Sequence, residues 1–193
     1  QAAPGHAGGQ QDGGMSAELQ QLQRTLDRLE AAEQIRSALA LYCHAVDLRA
    51  VGPLSDLFAP EAEFRAVNFP QGGGSVLVRQ GRAAIVRVCL GLDPVELRHH
   101  MANASIDVAP DARSARTSAY FLHTHPQRMS GGLYEGDWSR AADGAWQIRR
   151  WQVTLGWEKQ FPEPGYTFSE SLATHARGHG LPVQWSGSQA EEA

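Results

Sequence analysis

Residues 97–108 read LRHHMANASIDV, and within them the helix-like spacing of the preceding segments gives way to alternation. One face of this stretch carries His100, Ala102, Ala104, Ile106 and Val108, and the other His99, Met101, Asn103, Ser105 and Asp107. A period of two over this length is the mark of a half-buried strand. Going forward, Pro110-Asp111 is a turn, and 114–125, 132–141 and 145–157 read as three further strands. Asp143-Gly144 between the last two is a strong hairpin signal.

Going backward, Gly81 opens a helix bearing Ile85, Val88, Cys89 and Leu92, which Pro94 closes. Residues 61–69 and 76–80 read as short strands joined by Gly72-Gly73-Gly74, and Pro53 starts a short helix with Leu54, Leu57 and Phe58 that Pro60 stops. Ahead of it, Leu19, Leu22, Leu26, Leu29, Ala32, Ile35, Leu39, Tyr42 and Val46 recur at three and four residues. This predicts a long amphipathic helix over 17–49, capped by Ser16 and ended by Gly52-Pro53. Helices followed by an antiparallel meander predict an α+β fold, with the helices on one face of a bent sheet. The order is not βαβ, and no GxGxxG or GxxxxGK[ST] occurs, which removes the usual nucleotide-binding fingerprints.

The 193 residues fit one domain. The expected organisation is a loose head over 1–15, a domain over 16–160 and an irregular tail over 161–193 that covers the pocket or an interface. A net charge of −4 argues against a nucleic-acid binder, and no apolar run approaches the length of a membrane span. Cys43 and Cys89 are too few for a disulfide framework and have no finger spacing. A cytoplasmic protein is expected.

Eight histidines ask for explanation. On the face assigned above, His100 points inward, as a structural hydrogen-bonder or as a base. Asp47 ends the long helix, where a carboxylate opposes the helix dipole; it is either functional or an exposed partner of Arg49. Tyr42, five residues earlier, flanks the same apolar stripe and reads equally as a core aromatic. His123 and His125 share one face of their strand, as half of a metal site, as one catalytic histidine (His125 the better placed), or as a polar strand end. A metal site is disfavoured because no carboxylate follows at a suitable spacing. Glu135 and Asp137 share one face of the third strand, and Trp146, Ile148, Arg150 and Gln152 one face of the fourth. These line a cavity, or face outward as cross-strand pairs. Cys43 reads as buried, not as a nucleophile.

The stretches IRSALALYCHAVDLRAVGPLSDLF (35–58), RHHMANASIDV (98–108) and YEGDWSRAADGAWQIRRWQVT (134–154) resemble the SnoaL-like, polyketide-cyclase-like branch of the nuclear-transport-factor-like superfamily. The resemblance covers roughly 33–158. It implies a cone-shaped α+β barrel, a mostly antiparallel sheet wrapped around a pocket for a small, largely apolar molecule. Two dehydratases of that superfamily are similar in different ways. The scytalone dehydratase pattern puts an aspartate at Asp47 and histidines at His100 and His125. It departs where its two water-orienting tyrosines become Val46 and Ala66 and its substrate-binding asparagine becomes Glu135. The bile acid dehydratase pattern maps onto Tyr42, Asp47 and His100.

The resemblance therefore implies a lyase that needs no cofactor and no metal, eliminating water or formaldehyde from a small, largely apolar molecule, which the tryptophans and phenylalanines suggest is aromatic or polycyclic. His100 would be the base, Asp47 its orienting carboxylate and Tyr42 the donor to the developing oxyanion or leaving group. His125 is a second catalytic candidate, and Glu135, Tyr120, Arg150 and Trp146 are candidate substrate contacts. An isomerase or cyclase with a related proton shuttle is the alternative, and a non-catalytic binding or assembly subunit the third reading. The expected partners are a small-molecule substrate and further copies of the chain, as a trimer before a dimer, with no nucleic acid and no membrane.

Overall fold

The computed structural model describes residues 11–69, 76–92 and 97–162. The Gly72–Gly74 linker, Pro94 and the tail from 163 lie outside them. Three helices, α1 (Gln11–Asp47), α2 (Val51–Asp56) and α3 (Arg82–Leu92), accompany six strands. These are β1 (Phe58–Val67), β2 (Leu77–Gln80), β3 (Arg98–Val108), β4 (Ser114–His125), β5 (Arg128–Arg140) and β6 (Trp146–Gln160). They form one curled, unclosed sheet in the order β2-β1-β6-β5-β4-β3. All pairings are antiparallel except β1 with β6. The α+β architecture expected from the period change is the one found. No helix among the described residues is long and apolar enough to cross a membrane.

Helix α1 begins at Gln11, ahead of the expected cap at Ser16. Once a helix is nucleated, each further residue adds a hydrogen bond at little cost, so a chain without a strong stop extends it. Its far end is a sharp stop. Arg49 takes a left-handed φ of 55°. The Ala50 amide donates to the Ala45 carbonyl at 2.8 Å and the Arg49 amide to the Val46 carbonyl at 3.1 Å. This is a Schellman ending, with a non-glycine residue in the position glycine usually takes. The Arg49 guanidinium donates to the Leu90 carbonyl of α3. The lock places Asp47 in the last helical turn, against the start of β3.

Phe58 and Pro60, expected in a helix and at its end, lie in β1. Proline is tolerated because β1 is irregular there: its register against β6 shifts between Phe58 and Glu63. The core fills the concave side of the sheet beneath α1, with Ile35, Leu54, Phe58, Ile85, Trp138, Ile148 and Trp151 fully buried.

Two β-bulges decide which side chains face that core. Between Ala102 and Ser105 of β3 the register against β4 slips by one residue, and Asn103 has a φ of 53°. Asparagine is among the few residues that adopt this conformation readily. A second slip, between Asp137 and Trp138 on β5, inserts Arg149 into β6. Each extra residue reverses the alternation beyond it.

Candidate active site

The first bulge moves the inward histidine. Ile106 and Val108 face the core as expected, but ahead of the bulge His99 is buried and His100 is exposed. His100 is therefore not the residue beside Asp47; its ring Nε2 sits 3.2 Å from the Thr124 hydroxyl on the outer face.

Asp47 and His99 form the centre of the site. The carboxylate accepts the His99 backbone amide at 3.1 and 3.2 Å, and its Oδ1 lies 2.6 Å from the ring Nδ1. Side-chain exposure is 8% for Asp47 and 3% for His99. A charge placed against the helix dipole is thus offset by two donors from one residue. Donation from Nδ1–H leaves Nε2 as the basic atom of the neutral ring.

His123, directly across the ladder from His99, is the second buried histidine. The ring centroids are 4.4 Å apart, and the His123 Nε2 lies 2.8 Å from the Tyr134 hydroxyl. Phe121 stacks on the His123 ring at 4.2 Å. Burial first, then the nearby His99, Arg128 and His100, hold the His123 pKa well below its usual value, so this ring is neutral at pH 7. His125, favoured from the sequence, lies beyond the buried part of the strand; its Nδ1 accepts the Gln127 amide at 3.2 Å in the β4–β5 turn.

A pocket opens beside this pair. Its lining includes Tyr42, Cys89, His99, His123, Ser130 and Tyr134, with Phe64, Ala66, Phe69 and Val153 as apolar walls and Arg128 and Glu158 as charged members. Tyr42 meets His99 edge-on at 6.4 Å, and its hydroxyl is 4.0 Å from the Cys89 sulfur. Tyr134 stacks on Trp151 at 5.0 Å, which fixes the hydroxyl that meets His123. Burial, reinforced by Asp47, pushes the Cys43 thiol up to about 12; it stays protonated, as its reading as a buried residue expects.

The four expected substrate contacts lie elsewhere. Tyr120 is 61% exposed on the outer face. Glu135 is also exposed there and accepts from Gln152 at 2.9 Å. Arg150 pairs with Asp137 at 3.5 Å, the cross-strand alternative. Trp146 is buried but is not part of this pocket. The bulge at Arg149 explains the error on β6, since Trp146 and Ile148 turn inward while Arg150 and Gln152 turn outward. On β5 the inward phase belongs to Tyr134, Gly136 and Trp138, not Glu135 and Asp137. Tyr134, Arg128, Ser130 and Glu158 were missed; the buried phase of β5, set by Trp138, was the signal for Tyr134.

The depressed pKa of His123 makes a stability prediction. The unfolded chain binds a proton on this histidine near pH 6.5 and the folded chain does not, so stability is full above that pH and is lost as pH falls below it. The slope is at most about 1.4 kcal/mol per pH unit for one such group. Thermal melting of wild type and His123→Phe between pH 7.5 and 5 is expected to show a shallower decline in the variant; equal slopes would contradict the assignment.

A helix-backed, curled sheet around a pocket, with a buried carboxylate–histidine pair at its wall, defines the class: a cone-fold protein. The model of the SnoaL-like domain family matches residues 27–152, and the chain belongs to that family. Solved structures with the same fold include the hexachlorocyclohexane dehydrochlorinase LinA-type3 from Novosphingobium barchaimii, 18% identical with a TM-score of 0.62 over 76% of this chain and 99% of that one. A candidate scytalone dehydratase from Novosphingobium aromaticivorans is 21% identical, with a TM-score of 0.59 over 75% and 99%. ActVI-ORFA from Streptomyces coelicolor is 21% identical, with a TM-score of 0.50 over 64% and 96%. At these identities the likeness establishes the fold. No curated protein sequence matches the chain.

Proposed function

We propose that this chain is a lyase that eliminates a small leaving group from a largely apolar molecule by general acid–base catalysis. The observation that carries the proposal is the Asp47–His99 contact of 2.6 Å at a pocket wall. His99 Nε2 takes a proton from a carbon next to the leaving group. Asp47 holds the ring in the required tautomer and stabilises the imidazolium that forms. Tyr42 donates to the developing oxyanion or to the departing group. The Tyr134–His123 pair fixes two polar atoms on the neighbouring wall, and the neutral His123 contributes hydrogen bonding without competing for the proton. Ala66, where the scytalone dehydratase pattern has a tyrosine, lines the pocket with a smaller side chain and so leaves room for substrate. Two proteins of the same fold, a dehydrochlorinase and a candidate scytalone dehydratase, support an elimination reading, with hydrogen chloride or water as the group to test first.

The test is incubation with a panel of cyclic β-hydroxy ketones and chlorinated rings, read by mass spectrometry in light and heavy water. Elimination removes about 18 Da for water and installs an alkene, as acid–base elimination requires. A product of unchanged mass would move the reading to an isomerase or cyclase. Absence of both turnover and solvent-deuterium exchange across ligands shown to bind would leave a binding module.

A further inference from the structure

Helix α1 carries two apolar stripes. Ile35, Leu39, Tyr42 and Val46 are buried against the sheet, whereas Leu19, Leu22, Leu26 and Leu29 are 59–63% exposed. At about 100° per residue the mean directions of the two stripes differ by roughly 150°, so they lie on opposite sides of the helix. The chain's own sheet therefore cannot cover the leucines. Every residue from Ser16 to Glu30 is exposed apart from the half-buried Asp27.

The spacing says what does cover them. The leucines recur at three, four and three residues, and Met15 extends the series by a further four. This is the 3.5-residue repeat of a coiled-coil seam, with Leu19 and Leu26 at one core position and Leu22 and Leu29 at the other. We infer that the first half of α1 pairs, parallel and in register, with the same segment of a second copy of this chain.

The flanks suit that occupant. In a parallel pair Glu18 meets Gln23 of the partner subunit and Thr25 meets Glu30 of the partner subunit, so no like charges oppose across the seam. Arg24 and Arg28 lie away from it, and the Gln23–Asp27 and Arg24–Gln21 hydrogen bonds run along the helix without crossing the leucines. Four leucines expose roughly 400 Å² on each helix, the size of a functional patch. Two such stripes with their flanking stems approach the roughly 1,000 Å² of a specific interface.

The test uses the full chain. Leu22→Cys is expected to form at least about tenfold more interchain disulfide under mild oxidation than Arg24→Cys, because seam positions meet and outer positions do not. The native Cys43 and Cys89 are buried and do not compete. Sedimentation equilibrium at 10–50 µM (roughly the range of a micromolar association) should give a mass above the 21.0 kDa monomer. That mass should fall in Leu22→Glu/Leu26→Glu, with the melting temperature of the pocket domain unchanged. Equal cross-linking of the two cysteine variants, or a mass indifferent to the glutamates, overturns the inference and moves any assembly to the sheet. A monomeric wild-type chain overturns it too, leaving residues 163–193 or a different protein as the occupant.

Discussion

Replacing His99 by alanine is expected to lower kcat/KM by about 10²–10⁴-fold, the contribution of a positioned general base, while His100→Ala leaves it unchanged within about twofold. The two residues are neighbours in sequence, so composition and local helix or strand propensity do not distinguish them. What differs is the environment. His99 is held by a buried carboxylate through both its backbone amide and its ring, and His100 touches a threonine hydroxyl on the outer face. Asp47→Asn keeps the shape but offers an amide where the ring Nδ1–H needs an acceptor. It should depress kcat much more than KM, since the lost stabilisation belongs to the imidazolium that exists only after proton transfer. Steady-state kinetics on the substrate found by the panel decide between these outcomes; equal losses at 99 and 100 would dissolve the assignment.

Gly132→Ala is expected to destabilise the fold by about 3 kcal/mol or more, the upper end of overpacking costs. A methyl group there would run into the Thr154 carbonyl of β6, and would sit 2.8 Å from the Phe121 ring and 2.9 Å from the Gly156 amide. Two of those three neighbours are backbone, which cannot rotate aside. The glycine also lies at a register slip between β5 and β6, so relief would require moving the strands that carry Tyr134 and Val153. Gly91→Ala in α3 is the control. Its methyl group meets nothing within 4 Å, and alanine is the better helix former by about 0.8–1.0 kcal/mol. Denaturant unfolding should show a large loss for the first and a small gain for the second.

Much of the fold was legible because it rests on periodicity and turn chemistry. The change of period at 97–108, the Asp143-Gly144 turn and the break at Gly81 located most of the elements, whereas the long helix stops at the Arg49 turn and Gly52-Pro53, expected to end it, lies inside α2. The resemblance supplied the cone and the pocket. Asp47 was legible as a carboxylate at the wrong end of a helix, and the structure shows what compensates it. The strand residues were harder, because the phase of a strand is a binary choice that one extra residue reverses. On β3 the bulge at Asn103 made the apolar pattern of Ile106 and Val108 a false guide to His100. On β6 the insertion of Arg149 did the same for Arg150 and Gln152. On α1 the error ran the other way. A continuous three-and-four spacing read as one stripe is two stripes on opposite faces, and the passage from Leu29 to Ala31 and Ile35 is where they part.

The pairing of Asp47 with His99 is the claim on which the proposed chemistry stands, and it can be measured without a substrate. Long-range ¹H–¹⁵N correlation spectra of the histidine rings, assigned with single His→Gln variants, report which ring nitrogen carries the proton. The expected result is that neutral His99 carries it on Nδ1, and that Asp47→Asn changes the pattern while leaving His100 unaffected. A His99 ring protonated on Nε2 and insensitive to Asp47, or a response at His100 instead, would contradict the account.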